Sequence, residues 1–335
     1  ACNQACLDHV FKRQTASCLV NPVACHETEF SNQPAPKSRK IAVVGGGPAG
    51  MSAAQTLAKR GHVVTLFESE TELGGQFNMA KKVPGKFDFH ETIRYFNVQL
   101  KNSGATVLLN KRVTAEELIA GSFDDVILAT GVKPRRLVIE GIDHPKVLSY
   151  VDVLKHQKEV GKSVAIIGAG GIGFDVAEFL LHDHAGEVET QPFMEEWGVD
   201  TTLHNRGGIK KPVVMEPARQ IYLLQRKEGK LGARLGKTTG WIHRATLKKG
   251  GVKMLNRVSY SRIDDEGLHC TVNGKPEILK VDHIVICAGQ ESQNELYQPL
   301  MSAGIAVHVI GGADVAAELD AKRAISQGTR LGYRL

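Results

Sequence analysis

Apolar residues along the chain come in short solid blocks separated by glycine turns. Lys40-Ile41-Ala42-Val43-Val44 places four apolar residues in a row, the pattern of a parallel strand covered on both faces. It runs into Gly45-Gly46-Gly47-Pro48-Ala49-Gly50, a helix predicted over Met51–Arg60, a stop at Gly61, and a second strand, Val63–Phe67, ending at Glu68. The same order recurs: strand Ser163–Ile167, the turn Gly168-Ala169-Gly170-Gly171-Ile172-Gly173, and a helix from Phe174 to Leu181. The next matching strand, Gln220–Leu224, follows residues 182–219, a polar stretch with Pro and Gly that reads as a loop insertion with one short helix around Met194–Trp197. A strand is also expected at Asp125–Leu128. Short strands are expected at Val252–Leu255, Gly267–Val272, Ile278–Val281 and Ile284–Cys287, then a strand at Ile305–Ile310 and a final helix.

Gly45, Gly47 and Gly50 fit G-x-G-x-x-G between a strand and a helix. One glycine permits the turn, one lets backbone approach a pyrophosphate, and one allows close helix–strand packing. The helix start then offers unpaired N–H groups to phosphate. A glycine turn without ligand is the alternative, and Glu68 argues against it. That residue stands at the end of the second strand, where a carboxylate accepts from a ribose 2′-hydroxyl and repels a 2′-phosphate, so the site suits FAD or NAD. Gly75 and Gln76, in Leu73-Gly74-Gly75-Gln76, and the turn Ala129-Thr130-Gly131 are further places of close backbone approach. Gly168, Gly170 and Gly173 repeat the spacing, but here the following strand ends in Gln225-Arg226-Lys227. Arg226 and Lys227 suit a 2′-phosphate and hence NADPH, unless they are solvated strand-end charges. Lys237, Thr238 and Thr239 are a further phosphate candidate. The fold expected is α/β: two Rossmann-like dinucleotide-binding folds, the second inserted in the first. Residues 1–36 form a cysteine-bearing lead-in and connector, 37–150 plus 288–335 the FAD fold, and 151–287 the NADPH fold.

Composition alters this picture little. Of 335 residues, 42% are hydrophobic and 23% charged, and no apolar run is long enough for a membrane span. The net charge of +6 comes from scattered Lys and Arg without aromatic interleaving, which argues against nucleic acid. Four of six cysteines fall in the first 25 residues. Cys2 and Cys6, three residues between them, are expected one helical turn apart on one face, with eleven residues between Cys6 and Cys18. Such thiolates suit zinc or an iron–sulfur centre, Cys25 is either a fourth ligand or a free partner of His26, and unligated thiols are the alternative. Cys270 and Cys287 lie in strand-like runs and are expected to be buried. No C-x-x-C lies within the flavin fold, which argues against a disulfide reductase. With no signal peptide in view, a reducing, cytoplasmic setting is expected, and the start at Ala1 reads as a cut in a longer chain.

Across essentially its whole length the chain resembles the C-terminal portion of the bacterial 2,4-dienoyl-CoA reductase (NADPH) and trimethylamine dehydrogenase family. The segments that carry this are CNQACLDHVF, SCLVNPVACHE, AVVGGGPAG, LGGQFN, GIDHPKVLSY, VAIIGAGGIGFDVA, LLQRK, LGKTTGWIHR, VICAGQE and GGADVAAELDAKRAISQGTR. The resemblance implies a larger enzyme in which an N-terminal (β/α)8 barrel holds FMN and an acyl-CoA substrate. Electrons then run from NADPH through FAD and a 4Fe-4S cluster to FMN. It further implies Cys2, Cys6 and Cys18 as three cluster ligands. It implies Gly47, Glu68, Gln76, Lys86, Val113, Asp314 and Lys322-Arg323-Ala324 as FAD contacts, and Arg226 and Lys227 as the 2′-phosphate site. The family pattern C-x2-C-x3-C-x11-C would put its first cysteine before Ala1, and the barrel is absent from this sequence. A sibling reductase of another enone, or a non-catalytic nucleotide-binding module, are the competing readings.

Overall fold

A computed structural model of the chain describes residues 2–30, 33–182, 189–213, 216–317 and 320–335. The chain folds into two compact units, one of residues Ala1–Asn78, Asp88–Arg135 and Gly289–Leu335, the other of Met79–Phe87 and Arg136–Ala288. Residues 79–87 and 136–150, read from the sequence with the first fold, thus pack within the second unit. Among the described residues no helix is long and apolar enough to cross a membrane.

The first unit is built on a five-stranded parallel sheet in the order Ala306–Val309, Asp125–Leu128, Lys40–Val44, Val63–Phe67, Thr106–Leu108. In chain order this is 5-4-1-2-3, the order of a dinucleotide-binding half whose crevice opens beside the first strand. Ile41, Ala42 and Val43 are wholly buried because both sheet faces are covered. On one face the helix Pro48–Lys59 packs against the last helix, Ala321–Arg334. Their approach depends on small residues: a Cβ on Gly328 would lie 2.3 Å from the Ala49 carbonyl oxygen, and one on Gly332 would lie 2.7 Å from Thr56. The hydroxyls of Ser52 and Thr329 are 2.7 Å apart, and Ser52 Oγ also donates to the Ile325 carbonyl. That pairing satisfies the polar atoms that the close approach buries. The chain end returns to the first fold through this contact.

The second unit holds a parallel sheet in the order Val147–Ser149, His283–Ile286, Ser163–Ile167, Gln220–Leu224, Lys253–Leu255. The helix Gly171–Leu181 covers one face. An antiparallel sheet of Val258–Asp264, Gly267–Val272 and Lys275–Leu279 packs on the other, where Leu268 and Ile263 meet Ile167 and Ile284. Between the glycine helix and Gln220–Leu224 the chain makes an excursion with a short helix, Thr190–Trp197, as expected; residues 183–188 and 214–215 of that stretch lie outside the described residues.

The lead-in differs from expectation. Its helix spans only Leu7–Val10, Asn3 has a φ of 56°, and Cys6 has φ −104° and ψ −85°. Cys2 and Cys6 are therefore not successive positions on a helical face. Gly328→Ala should destabilise the chain by about 1–3 kcal/mol, because two helix backbones must separate to admit a methyl. Denaturant unfolding reads this, and an unchanged midpoint would mean the helices are not held at this distance.

Candidate cofactor sites

Both glycine loops follow one steric plan. Gly45 has a φ of +109° and Gly168 of +114°, a region open to glycine, and the space a Cβ would need is taken by a carbonyl of the neighbouring strand end. That oxygen is Ala129's at 2.4 Å in the first loop and Cys287's at 2.6 Å in the second. Gly50 and Gly173 sit over the carbonyls of Gly45 and Gly168, where a Cβ would lie 1.9 and 1.8 Å away. The middle glycines face open space. Gly47 has only the Gly75 Cα at 4.0 Å and Gly170 nothing within 4 Å. Each of these two caps a helix with no side-chain hydrogen bond, so the first-turn N–H groups point into that space. A pyrophosphate fits such a cradle.

Around the first loop, Glu68 is buried, and its carboxylate accepts from the N–H of Gly46 at 2.7 Å and of Glu70 at 2.8 Å. Gly74 N–H donates to the Gly46 carbonyl, which lays the Leu73–Gln76 turn, and so Gly75 and Gln76, against the glycine loop. Ala129 N–H donates to the Val44 carbonyl, and Thr130 Oγ1 donates to the Gln293 carbonyl, so the Ala129–Gly131 turn closes the strand end. Val113 is buried against Phe67 and Leu118. Asp314, exposed, accepts from Gln327 Nε2 at 3.0 Å, and the same amide's oxygen accepts from Gly311 N–H.

A cavity of about 610 Å³ lies between the lead-in and the last helix of this unit, lined by Cys18, His9, His26, Lys322, Arg323 and Arg330 among others. It brings together two groups of residues read separately in the sequence. Lys322 Nζ donates to His9 Nε2 at 3.0 Å, and His9 Nδ1–H donates to the Thr15 carbonyl at 2.8 Å. Arg323 ties the helix start to the Val315 and Ala317 carbonyls, and its Nε is buried without a partner among the described residues. Ala324, at the first turn, is buried. Cys2, Cys6 and Cys18 are exposed. A Ser17 N–H to Ala5 carbonyl bond of 2.7 Å lays the Cys18 segment beside Cys6. The three sulfurs do not lie within 4.8 Å of one another; among the described residues Asp264, Glu266 and His269 are the group that does. Tetrahedral zinc at a 2.3 Å bond would hold sulfurs about 3.8 Å apart, so these positions do not fit a zinc ion.

In the second unit Arg226 and Lys227 stand exposed directly after the strand beside the glycine loop. Gln225 precedes them, and its Nε2 donates to the Lys227 and Gly229 carbonyls at 3.1 and 3.4 Å. Cys287 is buried and its thiol pushed well above the ordinary range by desolvation, so it is no nucleophile; burial likewise moves Cys270 up to about 11. Sequence reasoning missed Asp175, two residues beyond Gly173, whose carboxylate meets Lys86 Nζ at 2.5 Å. It also missed Glu178, buried and 2.6 Å from His243 Nδ1. The available signal was two acids on a helix that is otherwise apolar.

The pyridine nucleotide-disulphide oxidoreductase family matches residues 39–323. A metal reductase of Desulforamulus reducens is 33% identical over 320 residues, covering 93% of this chain and 46% of that protein. An NADH oxidase of Thermoanaerobacter brockii is 32% identical over 343 residues, covering 100% and 47%. A structure of 2-naphthoyl-CoA reductase superimposes with a TM-score of 0.84 at 27% identity, over 100% of this chain and 46% of that one. The chain thus spans about half the length of these relatives. With two glycine cradles on two parallel sheets, it belongs to the pyridine nucleotide-disulphide oxidoreductase family and is a flavin- and nicotinamide-nucleotide-dependent oxidoreductase segment.

Proposed function

We propose that this chain is the FAD- and NADPH-binding electron-transfer portion of an enone reductase acting on acyl-CoA substrates of the 2,4-dienoyl-CoA type. The observation that carries the reading is the contrast between two equivalent strand ends. One closes on a buried carboxylate, Glu68, and the other on Gln225 followed by Arg226 and Lys227. A carboxylate accepts from a ribose 2′-hydroxyl and repels a 2′-phosphate, whereas a guanidinium and an ammonium attract one. FAD is therefore assigned to the first unit and NADPH to the second, with residues 79–87 and 136–150 going to the second unit rather than to the 37–150 span read from the sequence.

When bound, FAD accepts two electrons as hydride from NADPH and can release them singly. The chain's own residues bind and orient. N–H groups at the helix starts after Gly47 and Gly170 take the two pyrophosphates, and Glu68 takes the FAD ribose. Gln76, Lys86, Val113, Asp314 and Lys322–Ala324 are assigned to FAD by the family resemblance, with Arg323 Nε, unpartnered among the described residues, a donor available to it. Cys2, Cys6 and Cys18, too widely spaced for zinc, are assigned to a 4Fe-4S cluster whose fourth ligand lies outside this sequence. FMN and the acyl-CoA belong to a barrel domain of the whole protein, and the naphthoyl-CoA reductase neighbour supports an acyl-CoA substrate. The metal reductase and NADH oxidase relatives favour a second reading, in which the same NADPH-to-FAD segment serves a different final acceptor.

Anaerobic titration of the flavin-loaded chain with NADPH should bleach the flavin band, and an unchanged spectrum would leave only a nucleotide-binding module. Replacing both Arg226 and Lys227 by Ala should raise the KM for NADPH roughly 10- to 100-fold and that for NADH by less than about threefold. Equal losses would place 2′-phosphate recognition elsewhere. Glu68→Ala should weaken FAD retention roughly tenfold or more, read as flavin content after gel filtration. Full occupancy would remove the ribose assignment.

A further inference from the structure

The first glycine cradle has a wall that the second lacks. Gly75 stands against Gly47: a Cβ on Gly75 would lie 3.0 Å from the Gly47 Cα, while a Cβ on Gly170 would meet nothing within 4 Å. The N–H groups of Gly75 and Gln76 have no acceptor among the described residues. Two such donors beside the cradle add to what it offers an anionic ligand.

The glycine loop fixes one side of this wall, where Gly74 N–H donates to the Gly46 carbonyl at 2.9 Å. The Asn78 amide closes the other side. Its Nδ2 donates to the Leu73 carbonyl at 3.1 Å. Gly74 has a φ of +128°, and a Cβ there would lie 2.7 Å from Asn78 Oδ1 and 2.9 Å from Nδ2, so the amide fills the space that a side chain at 74 would take. The Asn78 N–H donates to the Gly75 carbonyl at 3.1 Å. Leu73 and Phe77 are both buried in the core of the first unit, which anchors the turn before and after its glycines.

The amide is not there for stability alone. Asn78 Oδ1 is buried without a partner among the described residues. A buried acceptor left unpaired destabilises the folded state. Leucine has nearly the same shape and carries no such acceptor, so folding by itself would be served as well by leucine. What asparagine adds is the bond to the Leu73 carbonyl, and that bond acts on the turn.

We propose that Asn78 is a positioning residue of the first cofactor site: its amide holds the Leu73–Gln76 turn in place, so that Gly75 and Gln76 wall the Gly47 cradle around bound FAD. It acts through the backbone of the turn. This rests on assigning FAD to the first unit, and the wild-type chain and the variants test the two claims separately.

The test is fluorescence titration of FAD into the flavin-free chain, which requires no turnover, together with amide hydrogen exchange of that chain before FAD is added. Asn78→Leu should raise the Kd for FAD roughly three- to tenfold, since one hydrogen bond to the turn is lost. Its melting temperature without flavin should be unchanged or higher, and faster exchange should be confined to residues 73–77. If the leucine variant melts early, Asn78→Ser decides by the same readings, because its hydroxyl is too short to reach the Leu73 carbonyl. Unchanged FAD affinity in a folded variant overturns the positioning role and leaves the FAD reading standing. Faster exchange spread throughout the first unit in both variants overturns it as well, since Asn78 would then support the fold at large. A wild-type chain that takes up no FAD overturns both.

Discussion

The constraint on which both halves depend is the seating of a helix directly over a carbonyl oxygen. Gly50 above Gly45 and Gly173 above Gly168 leave less than 2 Å where a Cβ would go. That distance fixes how near the helix start comes to the strand end, and so where its unpaired N–H groups point. Moving the helix outward by even a methyl's width would carry those donors away from a phosphate held at the loop. The flanking strand ends add to the same geometry, since the Ala129 and Cys287 carbonyls close on Gly45 and Gly168 from the other side. Contacts of this kind are steric, so they hold at any pH or salt concentration, and the electrostatic differences between the two sites are written onto an identical frame.

Those differences occupy few residues. The buried Glu68 side chain is oriented by two backbone N–H donors, which stand in for the water it has lost. Its counterpart has no charge to stabilise and spends its amide on holding a loop. Arg226 and Lys227, exposed beyond it, are the pair proposed to meet a 2′-phosphate, and in water such a pair gains from acting together rather than from burial. On the proposed assignment, this contrast would let two related nucleotides be told apart on frames of similar shape.

Much of this was legible in the sequence because glycine spacing and apolar runs report local geometry directly. Strands Lys40–Val44, Val63–Phe67, Ser163–Ile167 and Gln220–Leu224 lie where their patterns put them, the last despite the excursion before it. Other features depend on partners far away in the chain. The pairing of Lys86 with Asp175 spans 89 positions. Residues 79–87 join the second unit because Met79 and Val83 find their apolar neighbours there, which no local pattern records. Spacing misled at Cys2 and Cys6, where three intervening residues suggested a helical turn but Asn3, at positive φ, starts the segment off the helix. The direction of the Gln225 amide, onto the Lys227 and Gly229 carbonyls, was not legible because it depends on how the following loop folds back.

The distribution of thiols bears on which chemistry this member of its family carries out. A thiol that exchanges with disulfides must be reachable and ionised. Cys270 and Cys287 are neither: both are buried, and desolvation moves both pKa values upward. The exposed thiols all lie in the lead-in. There Cys18 shares a cavity with Lys322 and Arg323, residues at the start of the helix that packs on the first glycine helix. The buried Cys287 thiol lies beside the second glycine loop, whereas exposed Cys18 lines a cavity at the start of the first unit's last helix. That placement argues against thiol exchange at the second glycine loop and leaves the lead-in cysteines, proposed above as cluster ligands, as the exposed thiols of the described chain.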